Sequence, residues 1–120
     1  MKHNPGFLAL VESVLPQVTE VTVEQYQEAM QAWTLLDVRE DSEWQNGHLP
    51  RAQHLGRGII ERDIETLFAD KKTPLVLYCG GGYRSALAAY NLQVMGYSKV
   101  VSLTGGYKAW LERQLPIEHD

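Results

Sequence analysis

Leu75-Val76-Leu77-Tyr78 is apolar at every position, and it runs straight into Cys79-Gly80-Gly81-Gly82-Tyr83-Arg84. An alanine- and leucine-rich helical segment, residues 85–95, follows and ends at Gly96. A short strand without polar alternation is buried on both faces, so it demands a sheet covered by helices above and below. The chain repeats this unit. Thr34-Leu35-Leu36-Asp37-Val38 and Lys99-Val100-Val101-Ser102-Leu103 read as further buried strands, with shorter ones at Glu20-Val21-Thr22 and Ala52-Gln53-His54-Leu55. Strands alternating with helices predict an α/β fold, a central parallel sheet of about five strands with helices on both faces. Ligands bind such sheets at the carboxyl ends of the strands, where both the loop after Tyr78 and the charged turn after Val38 lie.

The helices follow from spacing and punctuation. Phe7, Leu8, Leu10, Val11, Val14 and Leu15 keep a helical period that Pro16 ends. Residues 1–18 are therefore read as an N-terminal helical extension and residues 19–120 as the domain proper. Thr22 and Gln25 have capping-box spacing ahead of a helix through Tyr26, Ala29 and Met30. Asp41 or Ser42 is expected to cap a short helix that Gly47 stops. Gly56-Arg57-Gly58 makes a turn, and residues 59–68 a broken helix with Ile60, Ile64, Leu67 and Phe68 inward. A turn at Thr104-Gly105-Gly106 opens a last helix over residues 107–112.

Composition narrows the function classes. A net charge of −4 over 120 residues, with no basic run, argues against nucleic acid or an anionic membrane surface as partner. The single cysteine excludes an intramolecular disulfide and any multi-cysteine metal centre. A free thiol fits a reducing compartment. The apolar run from Phe7 to Val11 is broken by Glu12, and no stretch approaches the roughly 18 apolar residues of a membrane span. The expected location is the cytoplasm.

The loop carries the chemistry. Consecutive glycines allow successive backbone N–H groups to converge on one point, and the helix that follows adds its own free N–H groups and the positive end of its dipole. An anion held there would sit over Cys79, and the same field favours the thiolate, the reactive form. A lone cysteine is more commonly an inert buried residue, and three glycines can be an ordinary turn. Cysteine at a strand end, glycines, arginine and helix in one run serve a single purpose.

Three motifs resemble the rhodanese (thiosulfate sulfurtransferase) family, specifically its small single-domain members. They are Leu36-Asp37-Val38-Arg39-Glu40, then Glu43-Trp44-Gln45-Asn46-Gly47-His48-Leu49-Pro50-Arg51-Ala52, then the Cys79 to Arg84 loop with the closing Gly105-Gly106-Tyr107-Lys108-Ala109-Trp110. The resemblance implies the rhodanese fold and a sulfurtransferase in which Cys79 attacks the outer sulfur of thiosulfate, a polysulfide or a low-molecular-weight persulfide. It becomes a persulfide and passes that sulfur to cyanide, a thiol or an acceptor protein. Backbone N–H groups of Gly80, Gly81, Gly82, Tyr83 and Arg84 would hold the transferred sulfur, and no cofactor is implied.

Four residues separate Cys79 from Arg84. The related phosphatases and arsenate reductases place one more there, widening the cradle for a tetrahedral oxyanion. Loop length therefore favours sulfur transfer. A non-enzymatic rhodanese-like binding module is the other alternative, disfavoured by the intact cysteine. Arg51 departs from the family's usual glycine.

Asp37 and Arg39 are read as supporting residues at the neighbouring strand end, able to shape the loop, pair with Arg84 or meet an anionic donor. For Asp37 fold-holding hydrogen bonds are the preferred reading. His48 and His54 lack a second ligand at metal-binding spacing, and His48 is expected to be structural. Trp33, Trp44 and Trp110 are expected to pack. Arg57 either faces the pocket or occupies a plain turn.

Overall fold

The all-apolar strand lies at the centre of the sheet, as its lack of alternation requires. A computed structural model describes residues 3–120. Strands β1 (Thr19–Val21), β2 (Thr34–Asp37), β3 (Gln53–His54), β4 (Leu75–Tyr78) and β5 (Val100–Leu103) form one sheet in the order β1-β5-β4-β2-β3, every pairing parallel. The α-helices are α1 (Pro5–Val14), α2 (Val23–Glu28), α3 (Asp41–Gln45), α4 (Ile60–Leu67), α5 (Tyr83–Val94) and α6 (Gly106–Glu112).

Side chains alternate across each strand, so the two faces separate cleanly. Leu36, Leu75 and Leu77 pack with Ile60 and Ile64 of α4 and with Ala88, Ala89 and Leu92 of α5. On the opposite face Leu35, Val76 and Tyr78 pack with Val23 and Tyr26 of α2 and Trp110 of α6. Helix α1 lies outside α5, with Val11 and Val14 against Leu87. The extension read over residues 1–18 includes residues 1–2, which lie outside the described residues. No helix among the described residues is long and apolar enough to cross a membrane.

Several boundaries differ from expectation. The capping box at α2 forms, Thr22 Oγ1 accepting from Gln25 N–H at 3.1 Å and Gln25 Oε1 from Thr22 N–H at 2.8 Å. Thr22 thus belongs to the cap, and β1 ends at Val21. Helix α3 is entered through Glu40 rather than capped by Asp41 or Ser42, because Glu43 Oε1 accepts the Glu40 N–H at 3.1 Å. Helix α4 is continuous, and Leu67, its last residue, is 55% exposed rather than inward although it continues the face of Ile60 and Ile64. Helix α5 begins at Tyr83, two residues earlier than expected, because Gly82 turns the chain at φ 102°. Arg51 adopts φ 74°. The turn thus keeps a glycine-like conformation with an arginine in it, at a cost of about 1–2 kcal/mol.

Candidate active site

Strand β4 delivers Cys79 to the carboxyl edge of the sheet, where its side chain is 1% exposed. The chain then turns sharply at Gly82 and enters α5. That turn aims two backbone donors at the sulfur: Gly82 N–H lies 3.1 Å and Ser85 N–H 3.3 Å from Cys79 Sγ. Both belong to the first turn of α5 or its cap, where N–H groups have no partner within the helix. Of the five loop amides expected to cradle the anion, Gly82 therefore meets the sulfur. Ser85, which the loop reading did not include, supplies the second amide. The Cys79 thiol also donates to Ser85 Oγ at 3.5 Å.

The loop backbone is fixed from the far side by α6. Tyr107 N–H donates to the Cys79 carbonyl at 2.8 Å, and Lys108 N–H to the Gly80 carbonyl at 3.0 Å. With these carbonyls drawn toward α6, the loop is held from outside as well as by its own contact to Cys79 Sγ. Gly106 permits the approach. It has φ 53°, and a Cβ there would lie 2.3 Å from the Cys79 carbonyl oxygen. Gly106→Ala is expected to lower stability by about 2–4 kcal/mol, read as the urea midpoint multiplied by an unchanged slope. A loss below about 0.5 kcal/mol would mean that the loop yields freely.

Arg84 does not pair with Asp37. Its guanidinium grips Glu43 of α3 in a two-pronged ion pair, Nη1 to Oε1 at 2.7 Å and Nη2 to Oε2 at 3.0 Å. The Arg84 hydrogen bond holds the Glu43 carboxyl below the usual carboxylate range. Gly80 leaves room for this pair, since a Cβ there would come within 3.1 Å of Arg84 Nη2.

Asp37 and Arg39 meet each other instead, both buried. Asp37 Oδ1 accepts from Arg39 N–H at 2.9 Å and Nε at 3.1 Å, and Oδ2 accepts from Arg39 Nη2 at 2.8 Å and from the Tyr78 hydroxyl at 2.6 Å. Arg39 Nη2 also donates to the Gly47 carbonyl at 2.7 Å, and its guanidinium lies 4.2 Å from the Tyr107 ring centre. Burial and the neighbouring Asp37 push the Tyr78 phenol far above its ordinary range, so the hydroxyl stays a donor. The two residues tie together the strand ends beside the loop and do not touch Cys79.

An open cleft of about 860 Å³ adjoins Arg84, lined by Val38, Arg39, His54, Arg57 and Ile59 among others. Arg57 is one of the residues lining this cleft. His48 stacks on Trp44 with ring centres 3.6 Å apart, and its ring nitrogens meet the Leu49 carbonyl and Asp120 Oδ1, both at 3.0 Å. Glu118 forms a two-way backbone bridge with His48, so the last residues are bound to the segment that follows α3. Among the described residues no three His, Cys, Asp or Glu side chains converge as metal ligands do.

Glu43, Ser85, Ser102 and Gly106 are the site residues that the sequence reading did not assign. Glu43 lies within the 43–52 motif and Gly106 within the 105–110 motif. Only the spacing of Gly105-Gly106 from a helix start carried a usable signal, as a tight turn.

Residues 22–113 match the model of the rhodanese-like domain family. The chain is similar to the Bacillus subtilis protein YtwF, 34% identical over 96 residues that cover 80% of this chain and 90% of that one. It is similar to the thiosulfate sulfurtransferase GlpE of Coxiella burnetii, 32% identical over 89 residues, 68% of this chain and 81% of GlpE. Against the Bacillus subtilis protein YrkF, at 26% identity, it spans about half of the relative's length, 52%. Among solved structures it superposes on a Rhodopseudomonas palustris protein described as a possible tyrosine phosphatase. The TM-score there is 0.85 with 27% identity, covering 98% of both chains.

Proposed function

This chain belongs to the rhodanese-like domain family, and from that premise we propose that it is a sulfurtransferase acting through a persulfide on Cys79. The donor is thiosulfate or a related sulfane-sulfur compound, and the acceptor is a thiol or cyanide. Residues 19–120 carry the chemistry, and residues 1–18 are an extension outside it.

One observation carries this reading: the Cys79 sulfur sits under the convergent N–H groups of Gly82 and Ser85 at the start of α5. Thiolate is the nucleophile, and those donors point at the sulfur that carries its charge. It attacks the outer sulfur of thiosulfate, the bond to the sulfonate sulfur breaks, and sulfite leaves with the electron pair. An acceptor thiolate then attacks the outer sulfur of the persulfide and returns the pair to Cys79. The backbone donors are already oriented, so no reorganisation is needed when charge appears on sulfur.

The similarity to a protein described as a possible tyrosine phosphatase supports a second reading. Against it stands the loop: four residues between Cys79 and Arg84, with Arg84 occupied by Glu43 and so less free to clamp a phosphoryl group.

Intact-mass measurement after incubation with thiosulfate tests the proposal. The expected result is a gain of one sulfur atom, removed by dithiothreitol, with no hydrolysis of p-nitrophenyl phosphate. Hydrolysis without sulfur uptake would establish the phosphatase, and neither activity with any sulfane-sulfur donor would leave a binding module.

A further inference from the structure

Two serines lie beneath the cysteine where apolar residues would be expected. Ser85 and Ser102 are both 0% exposed. Ser102 stands in β5 between Val101 and Leu103 and beside Leu77 of β4, on the face that packs against α5. A buried hydroxyl is costly unless it is bonded, and these two bond to each other, Oγ to Oγ at 2.8 Å. The Ser85 hydroxyl meets Cys79 Sγ at 3.5 Å as well. The result is a chain running sulfur, Ser85, Ser102 inward from the loop.

We propose that this chain is reversible, letting Cys79 exchange donor for acceptor character during sulfur transfer, with Ser85 as a catalytic residue and Ser102 as the positioning residue behind it. Each hydroxyl carries one proton and accepts as well. With a thiol, S–H donates to Ser85 Oγ and the Ser85 O–H points to Ser102. With a thiolate, the Ser85 O–H turns to the sulfur and the Ser102 O–H turns to Ser85 Oγ. Only hydroxyl torsions change, no serine loses its proton, and no heavy atom moves.

The thiolate then receives three donors: two fixed amides and one that turns toward it when charge forms. This matters twice. Cys79 begins the reaction as nucleophile and ends it as leaving group. When the acceptor attacks the outer sulfur, the S–S bond breaks, the electron pair arrives on Sγ, and the Ser85 O–H rotates to meet it.

The inference rests on the sulfurtransferase reading, but its first measurement does not need turnover. The rate of iodoacetamide alkylation of Cys79 is followed against pH in the wild type, Ser85→Ala, Ser102→Ala and the double variant. Removing a hydrogen bond to a charged group is expected to slow Ser85→Ala about tenfold near pH 6, with rates converging at alkaline pH where every form is thiolate. Ser102→Ala slows less, because it touches no sulfur. The double variant, which leaves no unpartnered hydroxyl to disturb folding, matches Ser85→Ala, since Ser102 acts through Ser85. A Ser85→Ala profile that overlays the wild type, or a double variant further shifted than Ser85→Ala, overturns the proposal. Where Ser85→Ala fails to fold, a double variant with the wild-type profile overturns it equally. Sulfur uptake from thiosulfate separates the two ideas. A wild type that takes up sulfur with an unmoved Ser85→Ala profile refutes the hydroxyl chain alone. A shifted profile in a protein that takes up no sulfur refutes the sulfur transfer instead.

Discussion

Cys79→Ser is expected to take up no sulfur from thiosulfate and to lose sulfur transfer by at least about a thousandfold. A serine hydroxyl can still accept from the Gly82 and Ser85 amides, which reach Cys79 Sγ at 3.1 and 3.3 Å, so the loop should persist. What disappears is the polarisable nucleophile. A serine oxygen is not ionised at neutral pH, and among the described residues no histidine or carboxylate hydrogen-bonds to this side chain to activate it. The variant should therefore separate chemistry from folding: an unfolding midpoint close to that of the wild type, with no dithiothreitol-labile mass. Sulfur retained by Cys79→Ser would place the carrier elsewhere, and the chain has no second cysteine to take that role.

Asp37→Ala should produce the largest loss of stability, about 3–5 kcal/mol. Asp37 is fully buried and accepts from three Arg39 donors, its backbone N–H, Nε and Nη2, and from the Tyr78 hydroxyl. Its removal leaves Arg39, only 4% exposed, as a buried charge whose remaining partners are the Gly47 carbonyl and the face of Tyr107. The Tyr78 hydroxyl would keep the Leu49 N–H it accepts at 3.1 Å but lose its own acceptor. Such asymmetric loss costs more than the pair contributes when intact. Urea unfolding checks the value, and a change under about 1 kcal/mol would show that water or a neighbouring group replaces the carboxylate. Because neither residue touches Cys79, whatever protein remains folded should keep the alkylation profile of the wild type.

The legible parts of this molecule were those written locally. Leu75 to Tyr78 could only be a strand buried on both sides, and it is the central strand, with Cys79 at its carboxyl end. The capping box at Thr22 and Gln25 is a contact between residues three apart and was readable for the same reason. Contacts between distant segments left no such mark. Glu43 reaches Arg84 across 41 positions of sequence, and neither residue's neighbours announce the other. Asp37 and Arg39 were placed correctly at the strand end, but the sequence could not say that they satisfy one another. Ser102 looked like a small polar residue in an apolar strand; only the placement of β5 beneath the start of α5 gives it a partner. The early start of α5 has no local mark, because a glycine with positive φ looks, in sequence, like any other glycine in a loop.

The strand order also sets a timetable for synthesis. Strand β1 pairs with β5 alone, Thr19 lying beside Val101, so the first strand leaves the ribosome roughly eighty residues before its partner exists. At about 5–20 residues per second that is a wait of roughly 4–16 s with an unpaired edge. The loop waits longer still. Its carbonyls are held by the amides of Tyr107 and Lys108, which are translated after every strand is complete. A nascent chain arrested anywhere before α6 therefore holds the cysteine without the geometry around it, and competence arrives with the final helix.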